Sequence, residues 1–249
     1  MSWRTESIQA VAFVTPGVAQ PDALKIWQTL FENDSPDSFQ RPVGGPAAQS
    51  NAMGVRENFN VGIMSQLGRI TVNLAGSQAS PSQGPPNLPD AGLASKKAAE
   101  FLVRVCSLGP VYRVGLAAGM TAQVSAAEAP KFISEMTGSV NFPNGSIDCI
   151  YQFNVRRPFE SVGDFTMNRV RTWAMGEQQL LTINTNPGSP QATQVFSPVK
   201  IESIQIVNCR IDINSATIFG AVIGDHVSGM AEEMRLEMLL LMDIGDQIA

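Results

Sequence analysis

The chain has 249 residues, and its 17 lysines and arginines against 22 aspartates and glutamates give a formal net charge of −5. Only 16% of the residues are charged, compared with about 25% in an average soluble domain, while 44% are hydrophobic and the mean hydropathy is +0.02. This composition argues against a disordered polyelectrolyte and against a membrane protein. The acidic balance also argues against non-specific binding of duplex DNA, which needs a broad basic face, although a local basic patch stays open.

The first ten residues and the cysteines bear on the compartment. Met1 to Ala10 contains no apolar run ahead of a cleavage point, so we expect no secretory signal and a cytoplasmic protein. Cys106, Cys149 and Cys209 are odd in number, and their spacing fits no zinc, redox or disulfide pattern, so they are expected to be buried thiols. The sequence predicts no metal, no cofactor and no membrane span.

The first half of the chain predicts strands and helices in alternation. The spacing of Leu24, Trp27, Leu30 and Phe31 indicates an amphipathic helix, and Gly68 supplies the positive φ of a hairpin turn. The predicted order is a strand (7–14), a helix that opens at Pro21 and ends near Asn33, a long loop (34–51), a hairpin (54–65 and 69–75), a mobile loop (76–92), a helix (95–107) and a strand (111–124).

The second half continues the pattern. Ser125 and Glu128 have the spacing of a capping box, and because Pro130 disfavours an earlier start, a helix is expected to begin near Ala129 and to run to Met136. Apolar residues alternate with polar ones from position 147 to 155, which is typical of a half-buried antiparallel strand. There follow a predicted hairpin (165–175 and 179–185), a strand (199–213) and a C-terminal helix (218–244).

This element order predicts the α+β class, a mostly antiparallel sheet with helices packed on one face. The first block has the β-α-β-β-α-β order of a ferredoxin-like unit, and the second block repeats it loosely. We therefore expect one domain over residues 1–249, with two ferredoxin-like pseudo-repeats over 1–124 and 125–249, closed by a long C-terminal helix.

Several strand segments carry a family resemblance. The chain resembles an uncharacterised, sporadically distributed family of bacterial proteins. The segments that carry the resemblance are Tyr151–Pro158, Thr166–Trp173 and Arg210–Asn214, together with Trp27–Phe31 and Pro36–Gln40. The resemblance implies a bacterial cytosolic α+β protein and contributes no activity.

Few residues suggest catalysis. His226 is the single histidine of the chain, and its helical spacing with Phe219, Val222 and Ile223 predicts a packed or interface side chain rather than a general base. Asp148, Glu202 and Asp212 fall on the polar faces of predicted strands, where solvated surface acids are expected. No glycine arrangement matches a phosphate-binding loop.

The densest group of basic residues lies on two neighbouring predicted strands. It consists of Arg156, Arg157, Arg169, Arg171 and Trp173. Arginine binds phosphate or carboxylate in a bidentate manner and tryptophan offers a stacking surface, so one interpretation is a nucleotide, small-anion or acidic-partner site. The other interpretation is that Arg169 and Arg171 pair with surface acids across strands.

The last helix carries more apolar surface than one packed stripe needs. Methionines recur every four residues among leucines, so the helix is interpreted either as a core helix or as a surface for self-association or for a protein partner. The predicted interface residues are Met230, Met234, Met238, Leu241 and Met242.

These observations favour a non-enzymatic, cytosolic, oligomeric binding or scaffold protein that assembles through its sheet and its methionine-rich helix. The alternative is a protein that senses or processes a nucleotide or small anion through the arginine group, in a bacterial stress or antiviral pathway.

Overall fold

A computed structural model describes residues 3–42, 49–76, 87–138, 140–143, 145–182, 200–217 and 224–244. It confirms the α+β class with an antiparallel sheet. The strands are β1 (Arg4–Val14), β2 (Ser38–Gln40), β3 (Ser50–Arg56), β4 (Phe59–Gln66), β5 (Arg69–Gly76), β6 (Val111–Gln123), β7 (Ile150–Pro158), β8 (Thr166–Thr182) and β9 (Lys200–Ser215). The helices are α1 (Ala23–Leu30), α2 (Ala91–Cys106), α3 (Ala129–Thr137) and α4 (Val227–Ile244).

The strands form one sheet in the order β2-β3-β4-β5-β1-β6-β9-β8-β7, in which every neighbouring pair is antiparallel. β1 and β6 lie side by side at its centre. β1 is followed by α1, by the four strands β2 to β5 and then by α2. β6 is followed by α3, by the three strands β7 to β9 and then by α4, and within each set the strands neighbour one another in chain order. The predicted ferredoxin-like repeats are not confirmed, because this order of neighbours differs from that of a split βαβ unit.

Alternate positions of the central strands are buried, as a half-buried antiparallel sheet requires. Ile8 and Ala10 of β1, Leu116 of β6, and Ile211 and Ile213 of β9 are all buried in one hydrophobic cluster. Helix α2 packs on β1 and β5 and also contacts α1 and α4, while α4 packs on β6 and β9. Each large apolar side chain buried in this way stabilises the fold by about 1.5–3 kcal/mol.

Helix ends follow the local signals in the sequence. The Asp22 and Asp90 carboxylates accept hydrogen bonds from the backbone N–H groups of Lys25 and Leu93, at 2.8 Å each, and so cap α1 and α2. Helix α3 begins at Ala129 as expected and ends at Gly138, whose φ of 63° is the left-handed conformation of a helix C-cap.

One predicted hairpin is wrong. Residues 166–182 form the single long strand β8, in which Gly176 pairs with Ile206 of β9. A Cβ at this position would lie 3.0 Å from the Asn208 Nδ2 atom, so Gly176 marks a close approach to the neighbouring strand rather than a turn.

A second correction concerns residues 34–65. The expected loop contains β2 and the start of β3, and the expected strand 54–65 divides into β3 and β4 at Glu57 and Asn58. Both residues have positive φ, 50° and 68°, which suits a tight hairpin turn without glycine.

The C-terminal helix starts later than predicted. A 3₁₀ turn, Gly224–His226, precedes α4, and residues 218–223 lie outside the described part of the chain. The same holds for 77–86 and 183–199, which cover most of the two loops expected at 76–92 and 186–198. Within the described ranges, no helix has the length and apolar character needed to cross a membrane.

Candidate functional site

The register of β7, β8 and β9 sorts their side chains onto two faces of the sheet. Arg157 and Arg169 reach Glu237 on α4 and define what we name the α4 face. Residues one position away point to the opposite side, which we name the polar face. Because Arg156 and Arg157 are consecutive in β7, they necessarily lie on different faces.

On the α4 face, two of the predicted arginines meet a buried acid. The Glu237 carboxylate belongs to a residue that is only 4% exposed. Arg157 Nη2 pairs with its Oε2 atom, and Arg169 Nε lies 2.6 Å from its Oε1 atom. These ion pairs join β7 and β8 to α4 and compensate a charge that would be costly to bury alone.

Arg171 and Trp173 also lie on the α4 face, deeper in the core. Both are buried, and the Arg171 guanidinium stands 4.7 Å from the centre of the Trp173 ring. Arg171 Nε donates a hydrogen bond to Cys209 Sγ at 3.4 Å, and the Trp173 ring contacts that of Trp3 at 5.4 Å. This part of the predicted group is therefore packed inside the chain.

Arg156, the fifth member of the predicted group, belongs to a different set of side chains on the polar face. They form a hydrogen-bonded row across four neighbouring strands, which we name the polar ladder. Its members are Arg113, Asp212, Asn214, Asn168, Asn154 and Arg156.

The ladder has an arginine at each end and two amides in the middle. Arg113 Nη2 and Asn168 Nδ2 donate to Asn214 Oδ1 at 2.8 and 3.0 Å. Arg156 Nε donates to Asn168 Oδ1 at 3.0 Å, and Asn214 Nδ2 donates to Asp212 Oδ1 at 2.8 Å. Every step runs between neighbouring strands or along one strand, so the sheet register holds the row in place.

The two central amides are the most protected part of the ladder. Asn168 and Asn214 are 8% and 3% exposed, although they are polar and lie on the face away from α4. Burying an amide is tolerated when its hydrogen bonds are made, as they are here. Gly115, which pairs with Asn214, makes the room, since a Cβ there would lie 2.9 Å from Asn214 Cβ.

A second basic group continues from Arg113 across the sheet. The guanidinium carbons of Arg69 and Arg113 lie 5.7 and 5.1 Å from the centre of the Phe13 ring, at the distance of cation–π contacts. The buried atoms Arg69 Nε, Arg113 Nε and Asn73 Oδ1 have no hydrogen-bond partner among the described residues. An unmet buried group of this kind costs about 1–3 kcal/mol.

The predicted interface residues of α4 are placed in the core of the chain. Met230, Met234 and Met238 are fully buried, Leu241 is buried and Met242 is partly buried against the same cluster. Intramolecular packing therefore accounts for the four-residue spacing. Self-association of α4 stays a prediction, and among the described side chains of this helix the large apolar ones exposed for it are Leu236 and Leu240.

The remaining candidates for chemistry lie apart. His226 is exposed, with its ring 5.7 Å from that of Phe165. All three cysteines are free thiols, and burial raises the pKa of Cys106 to about 12, far from that of a reactive thiolate. Among the described residues, no three acidic, cysteine or histidine side chains form a metal-binding group.

Most of the ladder was missed by sequence reasoning, which placed only Arg156 in a site and Asp212 on a polar strand face. The signal was present in the alternating polar residues Arg210, Asp212 and Asn214. The alternation alone does not show that β9 pairs with both β6 and β8, and this pairing brings the members of the ladder together.

Comparison with models of known protein families, with curated proteins and with solved structures gives no match to this chain.

Proposed function

We propose that this chain is a binding protein whose polar face holds a small ligand with phosphate or carboxylate groups, and that nucleotides are the first class to consider. The observation that carries the proposal is the polar ladder, in which two buried asparagines lie between Arg113 and Arg156. Arginine recognises both anions through paired N–H donors, and the buried amides hold the two arginines in place by accepting hydrogen bonds from them.

The dimensions of the ladder suit a ligand of this size. Three strand steps of about 4.8 Å separate β6 from β7, so about 14 Å lies between the two ends of the ladder. A nucleotide spans a comparable length, with a charged end and a hydrogen-bonding base. The positive guanidinium groups of Arg113 and Arg69, both against the Phe13 ring, favour the negative end of a ligand beside Phe13.

The proposal includes the position of the helices. In it, all four helices pack on the side of the sheet that carries Ile211 and Trp173, which leaves the polar face to the ligand. Support comes from the chain of contacts from α1 to α2 and from α2 to α4, and from the ring contact of Phe132 in α3 with Trp3, which itself contacts Trp173.

Binding rather than catalysis is the role that these groups favour. The ladder supplies arginine donors held in place by the sheet register, which suits recognition, whereas an enzyme needs an acid, base or nucleophile aimed at a substrate. A cytoplasmic location is part of the proposal and is supported by the three free cysteines.

Calorimetric titration with ATP, ADP, inorganic phosphate and citrate tests the proposal. We expect at least one probe to bind, and Arg156→Ala to weaken it by about tenfold or more, since charge-assisted hydrogen bonds contribute about 1.5–3 kcal/mol. Arg235→Ala is the matched control, because this arginine pairs with Glu232 on α4, away from the ladder. Absence of binding by all probes, or equal affinities of the Arg156→Ala and wild-type proteins, would refute the ligand site.

A further inference from the structure

The two edges of the sheet differ in how they are protected. β2, at one edge, has three residues, and so short a strand offers little backbone for pairing. β7, at the other edge, has nine residues and pairs with β8 on one side only, among the described residues. It also exposes apolar side chains, with Ile150 69% and Val155 46% accessible.

A long edge strand with exposed apolar side chains is a template for another strand. We propose that β7 pairs antiparallel with β7 of a second copy of this chain, across a two-fold axis at Asn154, the middle residue of the strand. This axis places each residue of β7 opposite one of the second copy, with Ile150 opposite Pro158 at both ends, where proline supplies no N–H donor. It requires no segment beyond those already described.

The sequence of β7 is self-complementary in this register. Phe153 lies opposite Val155 of the second copy, and Tyr151 lies opposite Arg157, which gives an aromatic–aliphatic pair and an aromatic–guanidinium pair. Gln152 lies opposite Arg156, and Asn154 lies opposite itself. No two like charges oppose each other, although the strand carries two adjacent arginines, so a second copy fits this edge electrostatically.

The pairing has a structural consequence for the polar face. Asn154 and Arg156 are members of the polar ladder, and they would stand beside Asn154 and Gln152 of the second copy. The ladders of two copies would then run on into one another across a continuous sheet. Pairing of two copies uses only β7 and does not require a bound ligand.

Residue 154 lies on the two-fold axis, so a charged residue substituted there meets an identical charge in the second copy. Two variants of opposite charge can then be compared separately and as a mixture. Sedimentation velocity should show a dimer of the wild-type protein, while Asn154→Lys and Asn154→Asp should each weaken the dimer by about tenfold or more, since like charges directly opposite destabilise a strand pair. An equimolar mixture of the two variants should recover the dimer. Circular dichroism of each variant checks that this exposed position leaves the fold intact.

Leu236→Lys provides the control at another exposed apolar residue, on α4, and should leave the dimer unchanged. If Leu236→Lys dissociates the dimer and the Asn154 variants do not, association occurs through α4 and the β7 proposal is wrong. A wild-type protein that is monomeric up to about 100 μM, a concentration at which even weak specific dimers form, would also overturn it.

Discussion

The two faces of the β7–β8 pair use the same residue type in opposite ways. On the α4 face, Arg157 and Arg169 are held by Glu237 within the chain. On the polar face, Arg156 is exposed and hydrogen-bonds to neutral Asn168, so it keeps donors for an outside partner. The difference shows that an arginine group in a strand sequence has no single role, because alternate residues meet different surroundings.

The largest expected effect comes from breaking the α4-face ion pairs. Glu237→Gln removes the charge that compensates two arginines, and we expect a loss of about 3 kcal/mol in the free energy of unfolding, as for other buried pairs that lose one partner. Urea denaturation measures it. Glu232→Gln, whose partner Arg235 lies on the same helix, should cost less than about 0.5 kcal/mol. Equal losses would contradict the distinction between a buried and an exposed pair.

The next effect concerns the polar face. Gly115→Ala places a Cβ 2.9 Å from Asn214 Cβ and 3.2 Å from the Ile213 carbonyl oxygen, so backbone must shift. We expect a loss of about 1–3 kcal/mol, typical of overpacking, in thermal or urea unfolding. Gly62→Ala is the matched control, because nothing lies within 4 Å of a Cβ at that strand position. If Gly62→Ala loses as much stability as Gly115→Ala, the loss comes from replacing any glycine in a strand and not from crowding of Asn214 in the ladder.

A smaller, pH-dependent effect is expected at Glu233 on α4. Burial opposes ionisation of this carboxyl, but hydrogen bonds from the backbone N–H groups of Glu160 and Ser161 and from the Ser161 hydroxyl leave its pKa below the ordinary value of 4.5. A lowered folded-state pKa contributes stability that is complete above the unfolded pKa and is lost as the pH falls through the folded one.

Glu233→Gln should therefore destabilise the protein by about 1 kcal/mol at neutral pH, the usual contribution of such hydrogen bonds. Unfolding curves at pH 7 and pH 3 check the sign, because the difference between variant and wild type should shrink at the lower pH. A difference that grows on acidification would contradict the assignment.

The smallest effect sharpens the comparison between the faces. Arg156→Ala should change the free energy of unfolding by less than about 0.5 kcal/mol, because Arg156 is exposed and Asn168 Oδ1 still accepts a hydrogen bond from Asn154 Nδ2 at 3.3 Å. Arg169→Ala should cost several times more, because it leaves Glu237 with one partner. Chemical denaturation of both variants measures the two losses. A large loss in the free energy of unfolding of Arg156→Ala would mean that the ladder serves stability rather than binding.

The sequence predicted local features well where the cause was local. The start of α3 at Ala129 and the alternation in β7 and β9 depend on neighbouring residues. Helix α2, in contrast, begins at Ala91, four residues before the predicted start at 95. The turn predicted between residues 175 and 179 is wrong, because Gly176 lies within β8. Glycine occurs both in turns and where strands approach closely, and only the pairing with β9 distinguishes these two roles.

The sequence by itself determined the α+β class, the start of α3 at Ala129 and the two-residue alternation that separates Arg156 from Arg157. Tertiary structure alone decided that β9 lies between β6 and β8, which assembles the polar ladder, and that Glu237 meets Arg157 and Arg169. These contacts join residues tens of positions apart, and such pairings depend on the packing of the whole sheet and its helices rather than on any local propensity.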